Sequence, residues 1–571
     1  MNALREEKAS LERCIITLKS ASAEERAHIL SSISVIDGKV ILSGTNVPEQ
    51  VTGVSVPTRA RNGTVAALED SGDASSDGED YDHSNFFSLD ERGQVGVYGP
   101  TSALHGPSPM RSAQSVECEP SDVLRNQLIA NAAIQRQKEH SLRAMSSIGG
   151  EPSELAIHLL DLHWNRQHHT FLLTYRPAIM RDLVTKGPWC SDFLLSAIFA
   201  CVSKFSDRIE VRDNPTEPET AGRRFFVRCE EMLAGVLSTS SIPTIVGLLL
   251  LGSTFNARGL ASKGWLYTGY ALRMVYDLGL HLNCEETSEN AEETEIRRRV
   301  FWGAFICDKL QSLYLGRSVT IQLHDAHVPR NFLDTFEEHE LWTPYMDPKY
   351  PVLDPVSVPT PIYSVSTFQQ LCLLSKIMTR VINRIYVVGA TVENTSSHLQ
   401  SIDDALSNWY RALPLHLRFE PWTEANNQPP VVAPNVILLL TTYNALLILL
   451  HRPFIFDGHL RPEVITTASR ERCSIAARNV TSLATNYQKM HSLRRAPYLL
   501  SYAVYVACTI HARNLAASNH ETRSEYASAL ITSLQCLDEL TVPNSGVSNP
   551  ASTIRRLAEK NGIPNSAGSS A

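Results

Sequence analysis

Apolar residues recur at helical spacing from about residue 121 to residue 540. Two-residue alternation is scarce there, and turn signals do not come at the roughly 8–12-residue spacing that a β-sandwich needs. The pattern predicts helices over 153–164, 191–205, 218–237, 243–256, 262–278, 292–315, 366–391, 396–412, 434–451, 464–490 and 497–516, hence an all-α, multi-helical body over 121–541. Residues 329–362, rich in Pro and aromatics, read as an irregular crossing segment. In 262–278, Trp265, Gly269, Leu272, Val275 and Tyr276 fall on one stripe. Ser262 is placed to cap its start and Gly269 to admit a neighbouring backbone. Gly279, in a left-handed conformation, would end it with Leu280 folded back onto Val275. The next helix opens on Glu292, Glu293 and Glu295, which suit a positive dipole end, and continues through Arg297-Arg298-Arg299-Val300-Phe301-Trp302.

Outside this body the pattern changes twice. In residues 1–36, Leu4, Leu11 and Leu18 repeat every seven positions with Ile15 between them, a short coiled-coil-like dimerisation seam. Ser22 and Glu25 form a capping-box pair for a second short helix ending near Ile33. Residues 37–120 are rich in Gly, Ser, Pro and Asp, with nine acidic residues and no Lys or Arg between Glu69 and Glu91. Such a stretch cannot bury enough apolar surface to offset its ordering entropy and reads as a disordered linker. Within it, 86–102 is less polar and is expected to dock on the body as an extended strip. Residues 542–571 read as a disordered tail.

Composition narrows the function classes. With 43% hydrophobic and 20% charged residues over 571 positions, a large core is available. The net charge of -8 argues against a direct nucleic-acid grip, which requires clustered Lys and Arg. The eleven cysteines are scattered without a CxxC pair, mostly in apolar runs, which fits buried thiols in a reducing compartment. The first apolar stretch, 14–18, is too short for a secretory signal. The greasiest run, Val436 to Leu450, is interrupted by Thr441, Thr442, Tyr443 and Asn444 and reads as a core helix rather than a membrane span.

Enzyme signatures are missing: there is no GxSxG, HExxH or Walker A loop. Gly93, Gly96 and Gly99 have the wrong spacing for a dinucleotide loop and precede Pro100. His158, His163, His168 and His169 do not stack at i, i+4, so core or surface histidines are favoured over a metal site. Arg297, Arg298 and Arg299 could form an import or nucleic-acid patch. Their place beside Phe301 and Trp302 favours a structural role, with at least one Arg buried against a carboxylate such as Asp277 or Asp308. The acidic strip around Phe86, Phe87 and Leu89 has the composition of an activation segment, although a solvated linker is preferred.

The run from Gly264-Trp265 through Gly269, Ala271, Arg273, Asp277, Leu278, Gly279, Leu280 and His281 resembles the core signature of the fungal-specific transcription factor domain. This is the regulatory middle homology region of zinc binuclear cluster activators. The resemblance continues through Arg297, Arg298, Arg299, Phe301, Trp302, Asp308, Gly316, Arg317, Arg452 and Pro453, and is closest to the nitrogen-assimilation and xylanolytic-activator-like branches. It implies an all-α regulatory domain of a nuclear transcriptional regulator, often dimeric, and an N-terminal six-cysteine cluster holding two zinc ions. Only Cys14 lies in the first hundred residues, so the chain is expected to begin just after that module, by truncation of the gene model or by true loss. On this reading no zinc is held here. DNA is reached only through the missing module or a partner that has one, in a homodimer or a heterodimer with a zinc-cluster factor. A small-molecule effector is expected, a membrane is not, and localisation is nuclear. The rival classes are a small-molecule-binding helical protein, an enzyme, and a helical-repeat scaffold, for which no fixed period is found.

Overall fold

The computed structural model describes residues 122–283, 290–349, 359–423, 430–455, 458–460, 467–518 and 522–560. It also describes residue 102 and the backbone of 33–36, 39–42, 87–89 and 95–97. The chain divides into two units, Met1–Ala67 and Leu68–Ala571. In the first, Ile33–Ile36 pairs antiparallel with Lys39–Leu42. This corrects the expectation of a helical end at 33–36 and a structureless linker from 37. Two β-branched runs flank Asp37-Gly38, a two-residue hairpin signal that outweighs helix propensity. Leu4, Leu11, Ile15 and Leu18 lie outside the described residues.

The second unit is all-α apart from two-residue and three-residue strand pairs. Its long helices are α1 (Asp122–Lys138), α2 (Ser153–Arg166), α3 (Arg176–Thr185), α4 (Asp192–Val202), α5 (Arg223–Val236), α6 (Ile242–Ala257), α7 (Ala261–Asp277) and α8 (Ala291–Leu315). They are followed by α9 (Ser364–Ile385), α10 (Val392–Ala412), α11 (Pro434–His451), α12 (Thr467–His491), α13 (Tyr498–Ala516), α14 (Arg523–Thr541) and α15 (Ser548–Lys560). Three of them, α4, α6 and α11, are apolar nearly all round and therefore sit inside the bundle. α6 is enclosed chiefly by α4 and α7, and α11 by α9, α12 and α13. By length and composition the α11 segment qualifies as a membrane span, but 94% of that window is buried within the fold. The strand Val95–Val97, paired with Phe87–Leu89, runs beside α7.

Local chemistry fixes the boundaries. Ser191 Oγ accepts from Leu194 N–H at 3.1 Å and starts α4; Ser241 Oγ accepts from Thr244 N–H and starts α6. Asn290 caps α8 through Glu292 N–H at 3.0 Å. α7 starts without a side-chain cap, because Ser262 lies one residue inside its first turn. It ends as its sequence predicts. Gly279 sits at φ 62°, Leu280 N–H donates to Val275 C=O at 2.9 Å, and Gly279 N–H donates to Tyr276 C=O at 3.0 Å.

The close approach on α7 is made by Gly264, not Gly269, beside which an added Cβ would meet open space. A Cβ on Gly264 would come within 2.7 Å of the Gly252 carbonyl, and one on Gly252 within 3.0 Å of the Gly264 carbonyl. The buried face of α7 is accordingly Gly264, Tyr267, Thr268, Ala271, Leu272, Met274 and Val275, turned about one position from the expected stripe. Gly264→Ala should cost about 1–3 kcal/mol through overpacking against α6 backbone. A thermal melt indistinguishable from wild type would show that the two helices can part without loss.

The tail expectation is corrected from residue 548. α15 lays Ala551, Ile554 and Ala558 onto α13 and α14, and Arg555 pairs with Asp538. Its apolar stripe is narrow, so its Ser/Asn/Pro-rich start dominates the composition.

Candidate functional site

Glu295 and Arg299 are four apart on α8 and therefore share one face. That face turns inward, so Glu295 does not serve the helix dipole at the surface. Arg299 is 1% exposed. Its Nε donates to Glu295 Oε1 at 2.7 Å, its Nη1 to Glu337 Oε2 at 3.1 Å and its Nη2 to the Asp334 carbonyl at 2.9 Å. The guanidinium lies 5.0 Å over the Tyr175 ring, and Tyr175 OH donates to Asp334 Oδ2 at 2.6 Å. Glu337 also meets His168 Nε2 at 2.7 Å. Burial alone would depress Arg299, but Glu295 and Glu337 outweigh it and hold the guanidinium firmly protonated. Burial alone would likewise raise Glu337, yet His168 and Arg299 hold its carboxyl well below the usual range.

A buried arginine–carboxylate pair is present as expected, but its carboxylates are neither Asp277 nor Asp308. Asp277 is exposed and accepts from Ser240 Oγ at 2.6 Å. Asp308 pairs with Lys309 at 2.8 Å and accepts from the Thr320 and Ile321 N–H groups. One partner of Arg299, Glu295, lies four residues back on α8; the others come from the crossing segment after residue 329, nearly forty positions away, where no periodic signal marks Asp334 or Glu337.

The other signature residues also hold elements together. Arg297 donates to the Leu278 carbonyl at 2.8 Å and so ties α8 to the end of α7. Arg298 donates to the Asn331 carbonyl, and Trp302 Nε1 to that of Pro329 at 3.1 Å. Phe301 is fully buried, 5.4 Å ring to ring from Trp302. Trp265 is covered by Arg317 at 5.0 Å; His281 lies 4.6 Å from the Tyr276 ring. Gly316, at φ 63°, ends α8. Arg452 reaches the Tyr386 hydroxyl at 3.4 Å, Pro453 is buried, and Arg273 is exposed.

The four histidines between 158 and 169 are held by hydrogen bonds, two of them to the same hydroxyl, Thr174. His158 bonds Tyr345 and Ser206, His163 Thr174, His168 Thr174 and Glu337, and His169 Ser364. Among the described residues no cluster of His, Cys, Asp or Glu is placed to hold a metal ion.

Next to this network lies a cavity with about 1080 Å³ of empty space including its open mouth. Its walls come from the end of α2, from α6, from the second half of α8 and from the start of α13. Phe171, Leu249, Leu250, Leu310 and Tyr314 make much of it apolar. His163, His168 and Thr174 belong both to its wall and to the hydrogen-bond chain that reaches Glu337 and Arg299. Sequence reasoning could not place it, because its walls are far apart in the chain.

Mostly apolar clefts between helices, such as this one, are a common setting for small-molecule binding. Residues 160–411 match the fungal specific transcription factor domain. The nitrogen assimilation transcription factor nit-4 of Neurospora crassa is 27% identical over 376 residues, 63% of this chain and 33% of that protein. The nitrogen assimilation transcription factor nirA of Emericella nidulans is 28% identical over 381 residues, 65% of this chain and 41% of that protein. The activatory protein CHA4 of Saccharomyces cerevisiae is 27% identical over 311 residues, 51% of this chain and 45% of that protein. The chain thus spans a third to under half of the length of these relatives. The family and these relatives are transcription factors rather than enzymes.

Proposed function

We propose that this chain is the regulatory part of a fungal transcription regulator, acting in the nucleus on RNA polymerase II transcription of metabolic genes. The helical body senses a small effector in the cavity, and its state governs an activation surface. The DNA grip comes from a zinc cluster supplied outside these residues or by a partner chain, with Leu4, Leu11, Ile15 and Leu18 as the dimerisation seam. The observation that carries the reading is the match of residues 160–411 to the fungal transcription factor domain. The cavity that adjoins the signature helix supports its sensing part. The chain fused to a foreign DNA-binding domain should activate a reporter bearing that domain's site. A folded, nuclear fusion that leaves the reporter at the level of the DNA-binding domain alone would overturn the reading.

A further inference from the structure

The cavity carries two cations and no carboxylate in its wall. Arg166, in the last turn of α2, lines it with Nε and Nη1 enclosed and without a hydrogen-bond acceptor. The charges and dipoles that act on it most are the Tyr487 phenol and the Arg495 guanidinium, neither of which neutralises it. Lys204 lines the same space. Its Nζ donates to Asn544 Oδ1 at 3.1 Å and lies 4.9 Å over the Phe205 ring, again without a carboxylate partner. Neither Asp nor Glu is among the lining residues.

Three enclosed cations of this fold are neutralised by carboxylates, Arg299 by Glu295 and Glu337, Arg208 by Asp347 at 2.6 Å and Lys309 by Asp308, and others rest on neutral oxygens, Arg258 on the Ala221 carbonyl and Arg452 on the Tyr386 hydroxyl. Enclosing a charge without a counter-charge costs several kcal/mol, so such a group is either structural waste or a waiting partner. A guanidinium donates only and cannot deprotonate near neutral pH, so no rotation or tautomer removes its need for an acceptor. Burial lowers Arg166 to about 10 and Lys204 to about 8, which leaves both charged at pH 7.

We infer that the cavity binds a small organic anion, its carboxylate held by Arg166 with Lys204 adding to the positive field, and its apolar body lying against Phe171, Leu249, Leu250 and Leu310. This deepens the effector reading above by naming the chemical class of the effector. Inorganic anions lack the apolar body, and neutral apolar molecules lack the charge.

Titration calorimetry on the full chain with octanoate, octan-1-ol and inorganic phosphate tests it. Octanoate should bind at least tenfold more tightly than octan-1-ol, with phosphate undetectable at the same concentrations. Arg166→Met should weaken octanoate at least tenfold, leave octan-1-ol within about twofold, and melt in the absence of ligand at or above the wild-type temperature. Lys204→Met should weaken octanoate with octan-1-ol unchanged, and it serves as the second variant should Arg166→Met fail to fold. Equal binding of octanoate and octan-1-ol, no octanoate binding, or unchanged octanoate affinity in the variant that folds would each overturn the inference. Calorimetry uses no reporter, so a chain that binds octanoate yet never activates transcription refutes the functional reading and leaves the site intact.

Discussion

Arg299→Ala is expected to abolish soluble expression, or to lower the melting temperature more than any other single change on α8. The substitution leaves Glu295, fully buried, and Glu337 facing each other's charge without the guanidinium between them. Breaking a buried pair in this way costs about 3–5 kcal/mol. Total stabilities of about 5–15 kcal/mol leave little margin for such a loss. The neighbouring Arg298→Ala removes a donor to the Asn331 carbonyl and should cost less, about 1–3 kcal/mol. Adding Glu295→Gln to Arg299→Ala should recover part of the loss, since one orphaned charge is then removed. Comparable melts for the Arg298 and Arg299 variants would show that the network is not the stabilising feature described.

The second large effect is acid unfolding. His158, His491 and His511 are held down to about 4, and His163 and His169 to about 3, in each case mainly by burial. His163, His491 and His511 are buried among neutral donors and acceptors, such as Thr481 beside His511 and the Val432 carbonyl beside His491. His158 is buried beside Arg208, with Asp347 at 3.5 Å working against the shift, and His169 is half-buried. An unfolded histidine takes up its proton near pH 6.5, whereas these five stay neutral in the folded chain until well below that. Their contribution is therefore fully present above about pH 6.5 and is lost as pH falls through the range toward 4 and 3. Glu139 and Asp161 act the other way. Burial raises them to about 7 and about 6, so their contribution is present in acid and lost as pH rises through those values. Burial raises Glu295, Asp334 and Glu340 as well, whereas Glu337, Asp347 and Asp403 are held low by partners that outweigh burial and, like the histidines, lose their contribution in acid. The histidines together with these paired carboxylates set the expected direction, a net loss of stability on the acid side. The melting temperature should fall steeply from pH 6.5 to pH 5. A flat profile over that interval would mean that these histidines are solvated rather than enclosed.

Helix existence was legible because a single periodicity governs it, and the α7 terminus was legible because Gly279 and Leu280 carry the whole signal locally. The helices α1, α3 and α14 went unread: α1 and α14 have shallow apolar faces, and α3 begins after Arg176-Pro177 within a loop-like stretch. Of the partners of Arg299, Glu295 follows from its four-residue spacing, whereas Asp334 and Glu337 were not legible, since they are reached only through tertiary folding. The cavity was invisible for the same reason, and Arg166 in the sequence is one arginine among many. What set it apart was the absence of a counter-charge, a property of space rather than of order along the chain.

The placement of the cavity walls has a consequence for synthesis. α6 is covered by α4 and α7, so its greasy surface can be buried while the second half of the polypeptide is still on the ribosome. α11 depends on α12 and α13, which emerge later, and this is the interval in which a chaperone has most to protect. The chamber needs residues from His163 to Tyr502 before it closes. A fragment that ends before α13 lacks the Tyr498, Leu499 and Tyr502 wall and leaves the chamber open on that side.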